Sequence, residues 1–456
     1  KYSDAERAEV WQKVSDGTYK LILGVRSAVF LPFQNLGLIV VDEEHETTYK
    51  QQDPAPRYHA RDVANVLTKL HNAKLILGTA TPSLETYYNC INNKYARVIL
   101  NSRYGNVEMP NIVVADTLDA YKRKVMQLHF HPILIDEIRT AFSKNEQVIL
   151  FRNRRGYTPY TECGDCGYVV KCEFCNVSLT YHKNRKSLLC HYCGNAIKPL
   201  IQCPDCGSNK LHSKGYGTEQ IEEEVAHFFP DAIISRLDLD TTSSRKNYEK
   251  IISDFENHRS DILIGTQMIS KGLDFDNVSI VGILNADSML NFPDFRAFER
   301  SFQMMVQVSG RAGRRDKRGK VIIQTTMPEH DIIRDIINTN YEAMAERELE
   351  ERTYFRYPPI FRFIQIKLSH TSSETLWASA NYMAEKLIEI LPGRIMGPEE
   401  PLVNKIQNRY ILNITLRFET SISSVKVKES IMQIANETEN YSEFKGIRII
   451  LDVDPI

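Results

Sequence analysis

Short, almost wholly apolar runs recur along the first two-thirds of the chain, and each ends in charged or turn-forming residues. The run at 36–41 (LGLIVV) stops at Asp42-Glu43-Glu44-His45, and 74–77 (KLIL) enters Gly78-Thr79-Ala80-Thr81-Pro82-Ser83. The run at 148–151 (VILF) leads into Arg152-Asn153-Arg154-Arg155-Gly156. Runs at 232–234 and 261–264 follow, the latter entering Gly265-Thr266-Gln267. Continuous apolar runs of this length, bounded by turn signals, predict buried parallel strands, and their spacing predicts an α/β architecture with helices between them. Phe302, Met304 and Met305 are predicted to pack the core face of one such helix.

The last hundred residues read differently. Ile364, Ile366 and Leu368 alternate with Gln365, Lys367 and Ser369, as in a half-buried strand. Leu376, Ala380, Met383, Leu387 and Ile390 repeat at helical spacing until Pro392-Gly393. Alternation returns at Tyr410–Phe418 and Ile447–Val453. This predicts a separate small α/β sandwich, joined through Arg356-Tyr357-Pro358-Pro359 as a linker after a helix at 341–352.

Cysteine spacing interrupts the α/β rhythm. Of 9 cysteines, eight form CxxC pairs: Cys163/Cys166, Cys172/Cys175, Cys190/Cys193 and Cys203/Cys206. Thiolates at i and i+3 grip one zinc ion from a tight knuckle, and two knuckles complete a tetrahedron, so eight ligands predict two closed, structural zinc sites. The short spacer between Cys166 and Cys172 disfavours pairing those two knuckles. The longer one between Cys175 and Cys190 has room for a hairpin, with 177–182 as one strand. That favours a nested arrangement, Cys163/Cys166 with Cys203/Cys206 outside Cys172/Cys175 with Cys190/Cys193; a crossed arrangement is the alternative. His182, His191 and His212 are read as bystanders, and Cys90 as a small buried hydrophobe.

With 456 residues, 42% hydrophobic and 25% charged, the chain has material for about three packed domains. No apolar run approaches the ~20 residues of a bilayer span. The formal charge of -1 excludes nothing about nucleic acid, because binding needs a local basic stripe and not a basic total. Such a stripe accompanies the cysteines, where Arg152, Arg154, Arg155, Lys171, Lys183, Arg185, Lys186, Lys198, Lys210 and Lys214 face Glu162, Asp165, Glu173 and Asp205. A phosphate backbone or a partner protein suits this knob; a solvated basic face is the plain alternative.

Open parallel sheets bind ligands at the carboxyl ends of their strands. Asp42 can there hold Mg2+ while Glu43 orients an attacking water. In Gln307-Val308-Ser309-Gly310-Arg311-Ala312-Gly313-Arg314, Arg311 and Arg314 could reach a γ-phosphate as arginine fingers. The segment 265–274 (GTQMISKGLD) is not a phosphate loop, because Ser270 precedes Lys271 where Gly-Lys-Ser/Thr is required.

In their order, DEEH, GTATPS, ILFRNRRGY, GTQMISKGLDF and QVSGRAGR resemble the motif series of superfamily 2 DNA helicases. The eight-cysteine insertion narrows the resemblance to the primosomal protein N′ (PriA) family of replication-restart helicases. Tyr49-Lys50-Gln51-Gln52 and Arg57-Tyr58-His59-Ala60-Arg61 resemble that family's aromatic-rich loop.

The resemblance implies two RecA-like lobes, the first incomplete, with the zinc module inserted and a small α/β domain last. The expected division is 1–109, the later part of lobe one; 110–160 and 215–345, lobe two; 161–214, the zinc insertion; and 350–456, the final domain. It implies ATP with Mg2+ between the lobes, held by Asp42 and Glu43 on one side and Gln307, Arg311 and Arg314 on the other, with Gly272 and Asp274 nearby. Tyr58, His59, Thr81, Thr266 and Gln267 would couple nucleotide to DNA.

It further implies a monomeric 3′-to-5′ helicase of the bacterial cytoplasm, nucleoid-associated at stalled forks. Its partners would be forked and single-stranded DNA, single-stranded-DNA-binding protein, other primosome proteins and the replicative helicase loader, with no membrane. GxxxxGK[ST] does not occur in the chain. The chain thus resembles a carboxyl-terminal portion that would bind ATP poorly alone. The alternative from another class is a non-enzymatic, zinc-stabilised DNA and protein adaptor.

Overall fold

The computed structural model describes residues 3–100, 109–153, 160–175, 177–182, 187–190, 193–213, 218–238, 241–242, 244–269, 273, 275–313 and 318–455. Near the start, Leu38–Val41 and Lys74–Leu77 pair in parallel, with the Ala60–Leu70 helix as their crossover. Ala60 and Ala64 are buried and let this helix approach closely, while Val41 closes the inner face. The expectation of a fully buried first strand is corrected: Leu38 is 51% and Val40 59% exposed. Two strands and one crossover helix cover a single face, so alternate residues of the apolar run stay in solvent.

Six parallel strands form the central sheet, in the order Ile234–Leu237, Ile262–Gly265, Gln147–Phe151, Val278–Ile283, Lys320–Thr325 and Asn111–Asp116. Both faces are covered. Val148, Leu150, Ile262 and Ile264 pack against the Pro132–Ser143 and Thr218–Phe228 helices. Ile149, Phe151, Leu263 and Val281 face the other way, toward the Arg245–Glu256, Ala297–Ser309 and Asp331–Asn338 helices. Burial on both faces explains why these strands read as unbroken apolar runs. Phe302 and Met305 are buried in that second core, as expected, with Met304 packed at its margin.

The cysteine-rich segment is inserted between two strands of this sheet. Thr161–Cys163 pairs antiparallel with Leu211–Ser213, and Thr180–His182, Ser187–Leu189 and Ala196–Ile197 form a three-stranded meander.

The last unit is an antiparallel sheet ordered Ile395–Glu399, Arg409–Glu419, Phe361–His370 and Arg448–Val453, with Lys405–Ile406 alongside. The Ser373–Ile390 and Ser424–Asn440 helices pack on one face. Pro358-Pro359 does follow the end of the Tyr341–Tyr354 helix, but Tyr357 is buried and stacks on Phe295 at 4.3 Å, with ring planes 5° apart. Its hydroxyl donates to the carbonyl of Cys175 (3.1 Å), so the junction is packed and not loose. A second tie holds this unit: the buried Lys50 ammonium donates to the Val453 carbonyl (2.5 Å) and pairs with Asp452 (2.9 Å). Among the described residues no helix is long and apolar enough to cross a membrane.

Candidate nucleotide cleft and metal-binding clusters

The Leu38–Val41 strand ends in a turn that sends three successive side chains to three different places. Glu43 is left-handed (φ 46°), and its N–H donates to Asp42 Oδ1 at 3.0 Å. Tyr49 secures the turn by donating to the Asp42 carbonyl (2.7 Å). Burial raises the Glu43 carboxyl above its ordinary pKa; Asp42 and Glu46 add to this, and His45 and Arg311 oppose it. A raised carboxyl in a cleft suits a group that must polarise water.

Glu44 points inward and is completely buried. Its carboxylate accepts from Ser83 N (2.7 Å), Ser83 Oγ (3.0 Å), Thr86 Oγ1 (2.8 Å) and Arg61 Nη1 (2.9 Å). One carboxylate thereby joins the acidic turn, the crossover helix and the turn after the second strand.

His45 bridges the halves. Gln307 Nε2 lies 2.7 Å from its Nε2, and its Nδ1 lies 2.7 Å from Thr79 Oγ1 and 3.6 Å from Glu43 Oε2. An amide N–H donating to Nε2 assigns the ring proton to Nδ1, which donates to Thr79. Thr79 in turn accepts from Thr81 N (3.0 Å). Thr81 itself is buried, and its hydroxyl has no hydrogen-bond partner among the described residues. Arg311 lies just beyond the Ala297–Ser309 helix, where its guanidinium donates to the Leu273 carbonyl.

His45 thus joins the Asp42/Glu43 turn to Gln307, and the Arg311 charge is near enough to favour ionised Glu43. Arg314, Gly272 and Asp274 lie outside the described residues. Thr266 and Gln267 sit at the carboxyl end of the Ile262–Gly265 strand, where Gln267 Nε2 is 3.4 Å from Asn153 Oδ1.

The expected base-stacking pair divides. Tyr58 meets Phe30 edge-on at 4.7 Å. His59 is turned inward, and burial, followed by the nearby Arg61 charge, lowers its pKa to about 4.

A buried charge cluster clamps the Leu84–Ile91 helix to the Ala297–Ser309 and Tyr341–Tyr354 helices. Leu84 N donates to Glu299 Oε1 (2.9 Å), and Arg352 pairs with Glu299 (2.6 Å). Arg296 pairs with Glu85 (2.5 Å), and Gln303 Nε2 and Tyr341 OH both donate to the Pro82 carbonyl (3.2 and 2.9 Å). Burial would raise the Glu85 carboxyl, but Arg296, Arg352 and Arg61 override it and hold it far below the ordinary range. Sequence reasoning missed Glu44, His45 as a bridge, Arg61, Glu85, Arg296, Glu299 and Arg352. For Glu44, His45, Arg61 and Glu85 the available signal was placement within or beside the motifs that were identified; Arg296, Glu299 and Arg352 lie away from them.

The eight cysteines gather as two groups, Cys163/Cys166/Cys203/Cys206 and Cys172/Cys175/Cys190/Cys193, with all sulfurs of a group within 4.8 Å of one another. The nested arrangement is the one observed. Separations of 3.6 Å (Cys163 to Cys206), 3.5 Å (Cys166 to Cys203) and 3.6 Å (Cys172 to Cys193) are far too long for disulfides. They approach the edge of about 3.8 Å that four Zn–S bonds of ~2.3 Å give a tetrahedron. The donor sets thus fit two closed zinc sites. Cys90 stands apart and half-buried, and burial pushes its thiol up. His191 lies outside the described residues, as do the side chains of His182 and His212.

Residues 172–198 match the family described as the PriA DNA helicase Cys-rich region (CRR) domain, and residues 216–316 match the helicase conserved C-terminal domain. The chain is similar to replication restart protein PriA of Bacillus subtilis (strain 168), with 38% identity over 461 residues, covering 99% of this chain and 56% of that protein. Against the protein of the same name from Haemophilus influenzae it is 38% identical over 458 residues, covering 99% and 61%. Against that of Chlamydia trachomatis serovar D it is 42% identical over 379 residues, covering 82% and 50%. The chain spans between half and about three-fifths of the length of these relatives.

Proposed function

We infer that over the length they share this chain belongs to the family of the replication restart protein PriA, and that it forms most of the engine of an ATP-dependent 3′-to-5′ DNA helicase. The observation that carries the reading is the convergence, through the 2.7 Å contact of His45 with Gln307, of the Asp42/Glu43 turn with the segment bearing Arg311. An engine split across two halves explains why acid and guanidinium, 268 positions apart by their numbering in the chain, should face one cleft. A passive adaptor would not need them together.

Hard oxygen donors beside a buried, unpartnered hydroxyl suit Mg2+ and a nucleotide. Bound ATP with Mg2+ would supply the phosphoryl group and its charge neutralisation. Asp42 is the carboxylate that would hold the metal, and Glu43, with its raised pKa, would orient and polarise water. Gln307 holds His45, and through Thr79 positions the turn that carries Thr81. Arg311 reaches the same cleft from the second lobe, and Arg314 is assigned beside it. Tyr58, His59, Thr81, Thr266 and Gln267 are proposed to couple nucleotide state to the bound strand, and Gly272 and Asp274 to stand between the two sites.

We read residues 1–109 as the later part of lobe one, and 110–160 with 215–345 as lobe two. Residues 161–214 form the zinc module and 350–456 a docking unit. The zinc module would act as wedge or dock at a fork. The family relationship supports fork recognition and primosome assembly, acting as a monomer with single-stranded-DNA-binding protein and the replicative helicase loader. With no GxxxxGK[ST] in the chain, turnover by this polypeptide alone is not expected. The test is fork unwinding and DNA-stimulated ATP hydrolysis by the whole protein carrying Glu43→Gln. Loss of roughly 10²–10⁴-fold in turnover with fork binding intact is expected; retained unwinding would refute the assignment.

A further inference from the structure

The inner cysteine cluster is not closed by its own segment. Cys175 Sγ accepts from Arg417 Nη2 at 3.7 Å, and Arg417 belongs to the Arg409–Glu419 strand of the last unit. That guanidinium is buried and fixed on several sides. Nη1 donates to the Phe355 carbonyl (3.0 Å), Nη2 donates to Tyr357 OH (3.1 Å), and the group lies 4.1 Å from the Tyr357 ring centroid. The Tyr357 hydroxyl in turn donates a hydrogen bond to the Cys175 carbonyl. Sulfur and carbonyl of one ligand are thus held by residues outside the cysteine-rich segment.

The same unit closes on the opposite knuckle. Glu399, buried at the end of the Ile395–Glu399 strand, fills the space beside Gly194: a Cβ there would meet Glu399 Oε2 at 3.4 Å, on a backbone already at φ +74°. The outer cluster differs, since its Cys206 is exposed.

Four thiolates around one zinc dication leave a formal charge of −2, which a buried site must offset. We propose that Arg417 is an outer-sphere ligand of the inner metal: its hydrogen-bonded cation offsets the thiolate charge and makes metal retention and docking of the last unit a single coupled equilibrium. The proposal rests on the zinc reading of the two clusters. Outer-sphere partners orient metal ligands and tune their basicity, and their loss typically costs 10–100-fold in metal affinity. By linkage, whatever the docked unit contributes to metal retention the metal returns to docking.

The test uses the zinc-loaded chain with a chromogenic chelator, comparing the unaltered protein with Arg417→Met and Arg417→Lys. Two ions should be released, and Arg417→Met should accelerate one of them by about 10–100-fold while leaving the other unchanged. Arg417→Lys, which keeps the charge without the fork, should fall between. Cobalt substitution gives an independent reading, since the thiolate-to-metal charge-transfer band of one site should shift in Arg417→Met. Should Arg417→Met fail to fold, Tyr357→Phe removes the hydroxyl that links Arg417 to the Cys175 carbonyl while keeping the stacked ring. It should speed release of the same single ion. Unchanged release and an unchanged cobalt spectrum would overturn the proposal, as would equal acceleration of both ions. Fewer than two bound ions in the unaltered protein would instead remove the zinc premise.

Discussion

Replacing Glu44 should loosen the first lobe far more than replacing its neighbour Glu43. Glu44 is fully buried and accepts from two side-chain hydroxyls, one backbone N–H and one guanidinium. In Glu44→Ala the Arg61 cation, whose side chain is only 12% exposed, loses this buried carboxylate, and Ser83 N loses its acceptor. Breaking a buried ion pair from one side costs about 3–5 kcal/mol, although Asp62 lies 3.4 Å from Arg61 Nε and would offset part of that. About 3 kcal/mol remains a reasonable expectation for local opening, which is roughly a hundredfold in an equilibrium constant.

Because the chain has several packed units, one global unfolding energy is the wrong quantity. Amide hydrogen exchange resolves local opening, and peptides covering the Ala60–Leu70 and Leu84–Ile91 helices should exchange about a hundredfold faster in Glu44→Ala than in the unaltered chain. Glu43→Ala, half-exposed at its side chain, should change them little. Equal exchange in the two variants would refute the claim that Glu44 is what ties the two turns together.

Removing either member of the His45–Gln307 contact should lower DNA-stimulated turnover in the whole protein. The double variant should be no worse than the more damaging single one, because both delete one interaction; additive losses would refute the shared role. Burial pushes the Glu348 carboxyl up to about 8, against Arg352 and Arg347, with Glu351 and Glu299 adding to the rise. The native state therefore holds this proton where the unfolded chain has lost it, and stability should fall as pH rises from about 4.5 to about 8, by up to a few kcal/mol. Amide exchange of peptides covering the Tyr341–Tyr354 helix, corrected for the intrinsic pH dependence of exchange, should show a flatter loss of protection across that window in Glu348→Gln than in the unaltered chain. Lys50→Met removes a buried ammonium from Asp452 and the Val453 carbonyl, and should expose the Arg448–Val453 strand to faster exchange, by about 1–3 kcal/mol of local stability.

What could be read from the sequence was whatever is local. Four CxxC knuckles announce their chemistry within a few residues, and spacer length alone favoured the nesting that the sulfurs adopt. The central strands Gln147–Phe151 and Ile262–Gly265 were visible because burial on both faces leaves no alternation to blur the run, whereas Asn111–Asp116, Val278–Ile283 and Lys320–Thr325 were not singled out. Less was visible where one residue's fate depends on a distant partner. Asp42, Glu43 and Glu44 are adjacent and chemically alike, yet only the left-handed turn at Glu43 decides that Glu44 faces inward. The first strand's composition suggested full burial, but composition does not say how many layers cover it. Tyr357 read as part of a linker because its stacking partner Phe295 and the Cys175 carbonyl are far away in the chain.

The Ala297–Ser309 helix meets the first lobe near its start through Arg296 and Glu299, midway through Gln303, and just before its end through Gln307. Gln307 lies eleven positions after Arg296, the N-cap, a span of about 16 Å at 1.5 Å per residue. A rigid rod anchored at both ends cannot let a small gap open evenly along its length. Pivoting on the salt-bridged end swings Gln307 away from His45, and pivoting on His45 tears at the charge cluster. Separation of the lobes must therefore proceed by releasing one anchor while the other serves as axle, which makes the order of release, rather than the width of the gap, the variable that a motor stroke would control.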